Sequence, residues 1–112
     1  MRDITWDEFK KIEIRVGTIV DVREFPEALK PAYKLEVDLG EELGVKQSSA
    51  QITDLYPKED LIGMQVVVVT NISPKRIGSF TSEVLITGFV RDNNNVVLAV
   101  PDKKVKNGSI LS

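Results

Sequence analysis

The sequence contains neither cysteine nor histidine. Without thiols there is no disulfide framework and no thiolate nucleophile. Without imidazole there is no base titrating near neutrality, and zinc and copper lose their usual ligands. A carboxylate site for a hard cation needs a loop dense in acidic and amide oxygens. Asp92-Asn93-Asn94-Asn95 comes nearest, and its place between two strand-like runs makes it a hairpin turn. Long apolar runs are missing too. Val66-Val67-Val68-Val69 is strand-sized, well short of the ~20 residues of a membrane span, so no membrane insertion is expected. Met1 to Glu8 lack the apolar segment of an export leader, which leaves the cytoplasm as the expected location. No nucleophile–base pair, metal cluster or phosphate-cradling glycine loop is present. A binding protein without cofactor is expected, not an enzyme.

Aromatics are scarce, with one Trp, two Tyr and four Phe. A binder of single-stranded nucleic acid usually stacks bases on such rings, so sequence-tolerant single-strand binding is disfavoured. Excess charge is also small. The net charge is −2, which gives no global case for a polyanionic partner. The charge is unevenly spread, however: residues 1–62 sum to −5 and residues 63–112 to +3.

What is present is a chain of 112 residues, enough for one domain, 1–112, with a core of its own. Thr5-Trp6-Asp7-Glu8 has the capping-box pattern, with Ile4 and Phe9 placed for a hydrophobic staple, and predicts a helix within 1–11. Ile12, Ile14, Val16, Val20 and Val22 share one parity, which predicts a long half-buried strand. Gly17 in its middle predicts a bulge or bend. Pro26 and Pro31 mark a loop. Tyr33, Leu35, Val37 and Leu39 alternate with polar residues as a second strand, and Val45 to Ser48 begin a third. Ile52, Leu55 and Tyr56 have helical spacing, with Ser48 or Ser49 as cap and Pro57 as terminator. Gln65 to Ile72 read as a strand buried on both faces. Thr81 to Gly88 read as the fifth strand, and Val96 to Val100 as an extra C-terminal hairpin strand. Asn107-Gly108 marks a turn before a terminal arm, Ile110-Leu111. Five strands with a kinked first strand fit an all-β, OB-type barrel with short helices. An open β-sandwich fits the strand count nearly as well.

Ile14-Arg15-Val16-Gly17-Thr18-Ile19-Val20 resembles the opening strand of the tRNA-binding domain family. Asn71-Ile72-Ser73-Pro74-Lys75-Arg76-Ile77, followed by Ser82-Glu83-Val84-Leu85, is similar to that family's second signature. Phe25-Pro26-Glu27-Ala28, Pro31-Ala32-Tyr33-Lys34-Leu35 and Gly44 to Thr53 resemble its CsaA-type branch of small, homodimeric, export-related chaperones. The resemblance implies an OB barrel, a homodimer and binding without catalysis. For that branch the implied partners are unfolded or pre-export polypeptides; for the wider family, structured tRNA. Ser79 stands where the family usually has glycine, and Val84-Leu85 replace the Gly-Met common in the tRNA-binding branch.

Candidate ligand-binding residues follow. Lys75 and Arg76 read locally as a solvated turn, and the resemblance assigns them contact with phosphates, carbonyls or acidic groups. Ser82 and Glu83 either bond a ligand or close a loop, and Asn71 has the same two readings. Lys34 and Lys46 are expected on the outward parity of their strands, with Gln47 and Gln51 nearby, converging on Lys75 and Arg76. Phe80 either lines a ligand pocket or plugs the barrel end. Lys103, Lys104 and Lys106 form a charge run that reads mainly as solvated. Trp6, Phe9, Ile110 and Leu111 are expected at a two-fold dimer interface, since apolar groups at the chain ends are seldom left as an open patch.

Overall fold

The computed structural model describes residues 2–112, so Met1 of the 1–11 segment lies outside the described residues. Helix α1 (Trp6–Lys10) starts as its capping box requires. The Glu8 amide donates to the Thr5 hydroxyl at 3.1 Å, and the Thr5 amide donates to the Glu8 carboxylate at 2.9 Å. Five residues are too few for a helix to persist unaided, and α1 buries none of its side chains in this chain. Asn71 holds the segment after it. Its Oδ1 accepts from the Glu13 amide at 2.9 Å, and its Nδ2 donates to the Lys11 carbonyl at 2.6 Å.

The strands are β1 (Ile14–Glu24), β2 (Tyr33–Asp38), β3 (Val45–Ala50), β4 (Gln65–Val69), β5 (Lys75–Ile77), β6 (Phe80–Ser82), β7 (Leu85–Ile86), β8 (Gly88–Val90) and β9 (Val96–Leu98). Five of them make one antiparallel sheet, ordered β3-β2-β1-β4-β7, that curls into a nearly closed OB-type barrel. The hairpins β5–β6 and β8–β9 are additions to it. The core contains Ile19, Leu35, Val37, Leu39, Leu61, Val66 and Val68.

Several local expectations are corrected by long-range pairing. The register of β1 on β2 shifts between Ile19 and Asp21, so the bulge lies at Val20 rather than Gly17. Gly17 and Ile19, not Ile14 and Val16, are the buried residues of β1. Ile14 and Val16 pair with Val69 and Val67 on an outer, half-buried apolar face. For the same reason β4 is not buried on both faces: Val66 and Val68 are buried, and Val67 and Val69 are partly open. The strand also ends at Val69, short of Ile72.

No helix forms on Ile52, Leu55 and Tyr56. Ser48 and Ser49 lie inside β3, and helix α2 (Lys58–Leu61) begins after Pro57 instead of ending there. Tyr56 is held by tertiary bonds. Tyr33 Oη donates to its carbonyl at 2.8 Å, and its own hydroxyl accepts from the Leu98 amide at 3.1 Å. Burial raises the Tyr33 pKa above its ordinary value. The fifth strand is broken into β6, β7 and β8, because β6 folds back on β5 while β8 pairs with β9.

Arg15 pairs with the buried Val68 and fastens three segments at one end of the barrel. Its Nε donates to Glu13 Oε1 at 2.7 Å, its Nη1 to the Gly108 carbonyl at 3.2 Å, and its Nη2 to Glu42 Oε1 at 3.1 Å. The Arg15 hydrogen bond holds the Glu13 carboxyl below its ordinary pKa, against a smaller opposing effect of burial. A depressed carboxylate pKa stabilises the fold above the unfolded-state value, and the benefit is lost as pH falls through the folded-state value. Glu13→Gln should therefore melt below the wild type at neutral pH, with the gap closing between about pH 5 and pH 2. Thermal melts across that range check it; a gap independent of pH would show that the carboxylate charge contributes nothing.

Candidate functional site

The β5–β6 hairpin folds onto the loop between β1 and β2 through a second, smaller core of Phe25, Ala32 and Phe80. The Phe25 and Phe80 rings meet edge to face at 5.3 Å between centroids. Lys34 Nζ caps the pair, 5.2 Å from the Phe25 centroid and 6.0 Å from that of Phe80. This junction leaves a groove of about 590 Å³. Its apolar surface includes Ala28, Leu29, Ile72, Ile77, Val84 and Leu85, and Lys30, Lys75 and Arg76 supply its cations. No carboxylate residue lines it. None of its cations belongs to an ion pair among the described residues. Arg76 spends one donor internally, Nε to the Gly78 carbonyl at 2.9 Å.

Four expected residues meet at this groove: Gln51, Lys75, Arg76 and Ser82. Lys75 and Arg76 sit on a strand of a ribbon rather than in a loop. Others take structural positions. The Gln47 amide donates to Glu83 Oε1 at 3.0 Å, the Glu83 amide donates to the Gln47 carbonyl at 2.8 Å, and Gln47 Nε2 donates to the Thr81 carbonyl at 2.8 Å. The Ser49 amide donates to Ser82 Oγ at 3.1 Å. These bonds close the barrel between β3 and the end of β6 with Glu83 after it, where no ladder pairs them. Asn71 is committed to Glu13 and Lys11, and Phe80 is buried in the second core. Lys46 departs from expectation. It is in register with Val37, so it shares the parity of the core residues and not that of Lys34, and it does not line the groove. Leu29, Lys30, Ile72 and Leu85 were not singled out by the sequence pattern, because the loop and strand ends that carry them come together only through the Phe25–Phe80 contact.

Among the described residues no group of three potential metal ligands exists, and no helix is long and apolar enough to cross a membrane. Fold and groove together define an OB-type barrel module with an apolar, cation-rimmed groove. The model of the putative tRNA binding domain matches residues 14–110, and the chain belongs to that family. It is similar to chaperone CsaA from Bacillus anthracis str. Ames, with 47% identity, a TM-score of 0.93 and coverage of 99% of this chain and 100% of that one. A CsaA chaperone protein from Picrophilus torridus is 44% identical with a TM-score of 0.92, covering 98% and 100%. The methionine–tRNA ligase of Thermococcus onnurineus (strain NA1) is 39% identical over 106 residues, covering 95% of this chain and 14% of the ligase. The chain thus spans about one seventh of such ligases.

Proposed function

We propose that the protein is a homodimeric, CsaA-like chaperone that binds unfolded or pre-export polypeptides in the cytoplasm, with one groove per protomer and no chemistry or cofactor of its own. The groove carries this reading. An apolar floor with an unpartnered cationic rim suits exposed apolar segments, whose backbone carbonyls and acidic groups meet Lys75 and Arg76. The CsaA structures, alike over the whole chain, support it. At one groove-bearing dimer per client, the protein should suppress light scattering from a chemically denatured client on dilution. Scattering equal to that with an inert protein at the same concentration would defeat the proposal.

The dimer is argued from uncovered apolar surface. Trp6 is 78% exposed, Ile110 61% and Leu111 53%, and α1 buries nothing. Phe9, half-buried, meets Trp6 edge to face with ring centroids 6.4 Å apart. Ile110 is nonetheless an ordered extension of the barrel, bridged to Arg15. Such a face on a small domain fits a self-complementary two-fold contact. Sedimentation should give twice the 12.5 kDa of one chain, and Trp6→Glu with Leu111→Glu should give one. A wild type that stays monomeric at about 100 μM would remove the dimer, since stable self-association leaves no such excess of free protomer.

A second reading, binding of structured tRNA, is favoured by the family match and by the rim cations. Phosphate contacts would make it strongly salt-dependent.

A further inference from the structure

Leu29 and Lys30 belong to the loop between Pro26 and Pro31, and both line the groove. The loop is anchored at its ends by buried Phe25 and Ala32, and a turn bond runs from the Ala28 amide to the Phe25 carbonyl at 3.2 Å. Yet Leu29 is fully exposed. An anchored loop that holds a leucine wholly in solvent at the lip of a groove needs a reason, because covering that side chain is favourable. The same groove has further residues of this kind. Ile72 and Leu85 are each 44% exposed there, with Lys75 and Arg76 close behind Ile72 in sequence. The groove therefore combines open apolar side chains with three cations. Two acidic residues adjoin lining positions in sequence, Glu27 before Ala28 and Glu83 after Ser82; neither lines the groove, and Glu83 is bonded to the Gln47 amide.

We infer that the groove reads charge as well as apolarity: it accepts apolar chain segments flanked by Asp or Glu and rejects the same segments flanked by Lys or Arg, with Leu29 and Lys30 as the reading element contributed by the loop. The inference rests on the polypeptide reading above. A carboxylate brought beside these cations gains attraction at a partly dehydrated surface, whereas an ammonium group meets repulsion and loses water with no partner. One consequence concerns pre-export chains. Export leaders begin with a basic stretch, so such a chain is held through acidic-flanked apolar segments elsewhere and its leader stays free.

Three fluorescent 13-residue peptides test this, sharing one apolar centre and flanked by Glu, Ser or Lys. Anisotropy titrations of the full-length protein at about 20 mM salt should rank them Glu, Ser, Lys, with roughly tenfold steps that shrink as salt rises toward about 0.5 M and the Debye length contracts. In Leu29→Ser with Lys30→Glu the order should flatten to within about twofold, while the melting temperature stays at the wild-type value because both side chains are at the surface. Lys75→Glu alone should weaken the Glu-flanked peptide and strengthen the Lys-flanked one. Equal binding of all three peptides by the wild type would overturn charge reading and leave polypeptide binding standing. An unchanged ranking in the loop variant would overturn the role of Leu29 and Lys30. Failure of every peptide to bind would remove the polypeptide reading and the inference together. Displacement of the Glu-flanked peptide by stoichiometric tRNA would make the groove an RNA site and overturn the assignment.

Discussion

Gly17→Val should lower the thermal midpoint by roughly 12 °C, from a loss of about 3 kcal/mol. The residue is not there for backbone freedom. Its need is space inside the barrel, where β1 passes close to β2. A Cβ at position 17 would lie 2.5 Å from Val37 Cγ1, 2.8 Å from Leu39 Cδ2 and 3.0 Å from the Asp38 carbonyl oxygen. Val37 and Leu39 are both fully buried, so neither has free volume to move into. Valine adds two more methyl groups to that collision. Gly44→Ala is the contrasting case. Gly44 has φ +71° but nothing within 4 Å of its added Cβ, so its cost is backbone strain alone, about 1 kcal/mol. Calorimetry of the two variants separates the mechanisms. A Gly17→Val protein melting within a degree or two of the wild type would mean that the barrel waist is not closely packed.

Reversing two charges on the hairpin, Lys75→Glu with Arg76→Glu, should produce the largest functional loss. Both side chains are exposed, and neither is in an ion pair among the described residues. Among the described residues the two make one side-chain hydrogen bond, from Arg76 Nε to the Gly78 carbonyl. The variant should therefore fold, and its effects belong to the groove. If tRNA is the ligand, affinity should fall about tenfold or more at moderate salt. The slope of log K against log salt should then shallow by roughly 1.4–1.8, since each of two lost phosphate contacts removes ~0.7–0.9. If polypeptide is the ligand, suppression of aggregation should fall instead, most for acidic clients. Unchanged tRNA affinity takes the hairpin out of any RNA interface, and unchanged suppression takes it out of the chaperone site. The pair of measurements thus discriminates between two functions that one barrel can serve.

Several features were legible before any tertiary contact was known. The Thr5 capping box forms as its spacing demands, because all of its bonds join residues three apart. Strand β2 alternates buried and half-exposed from Tyr33 to Asp38, as its period of two requires. Lys75 and Arg76, singled out through the family resemblance, line the groove. The roles of Gln47, Ser82, Glu83 and Asn71 were not legible. Each could bond a ligand or the backbone, and the structure commits them to the backbone through partners 33 to 60 positions away. Lys46 was misplaced for a simpler reason. Parity within one strand does not say which face is inside; its pairing with Val37 does.

By itself the sequence determined the class of the protein: an all-β domain of a recognisable family, opened by a short capped helix. Those properties are written in local spacing and in which residue types occur. Tertiary structure alone decided where β1 bulges, which apolar parity faces inward, and that Leu29 and Lys30 line one groove with Ile72 and Lys75. The physical reason is that register and loop docking arise from contacts between distant segments, Gly17 against Val37 and Phe25 against Phe80, whose energies no short stretch of chain contains.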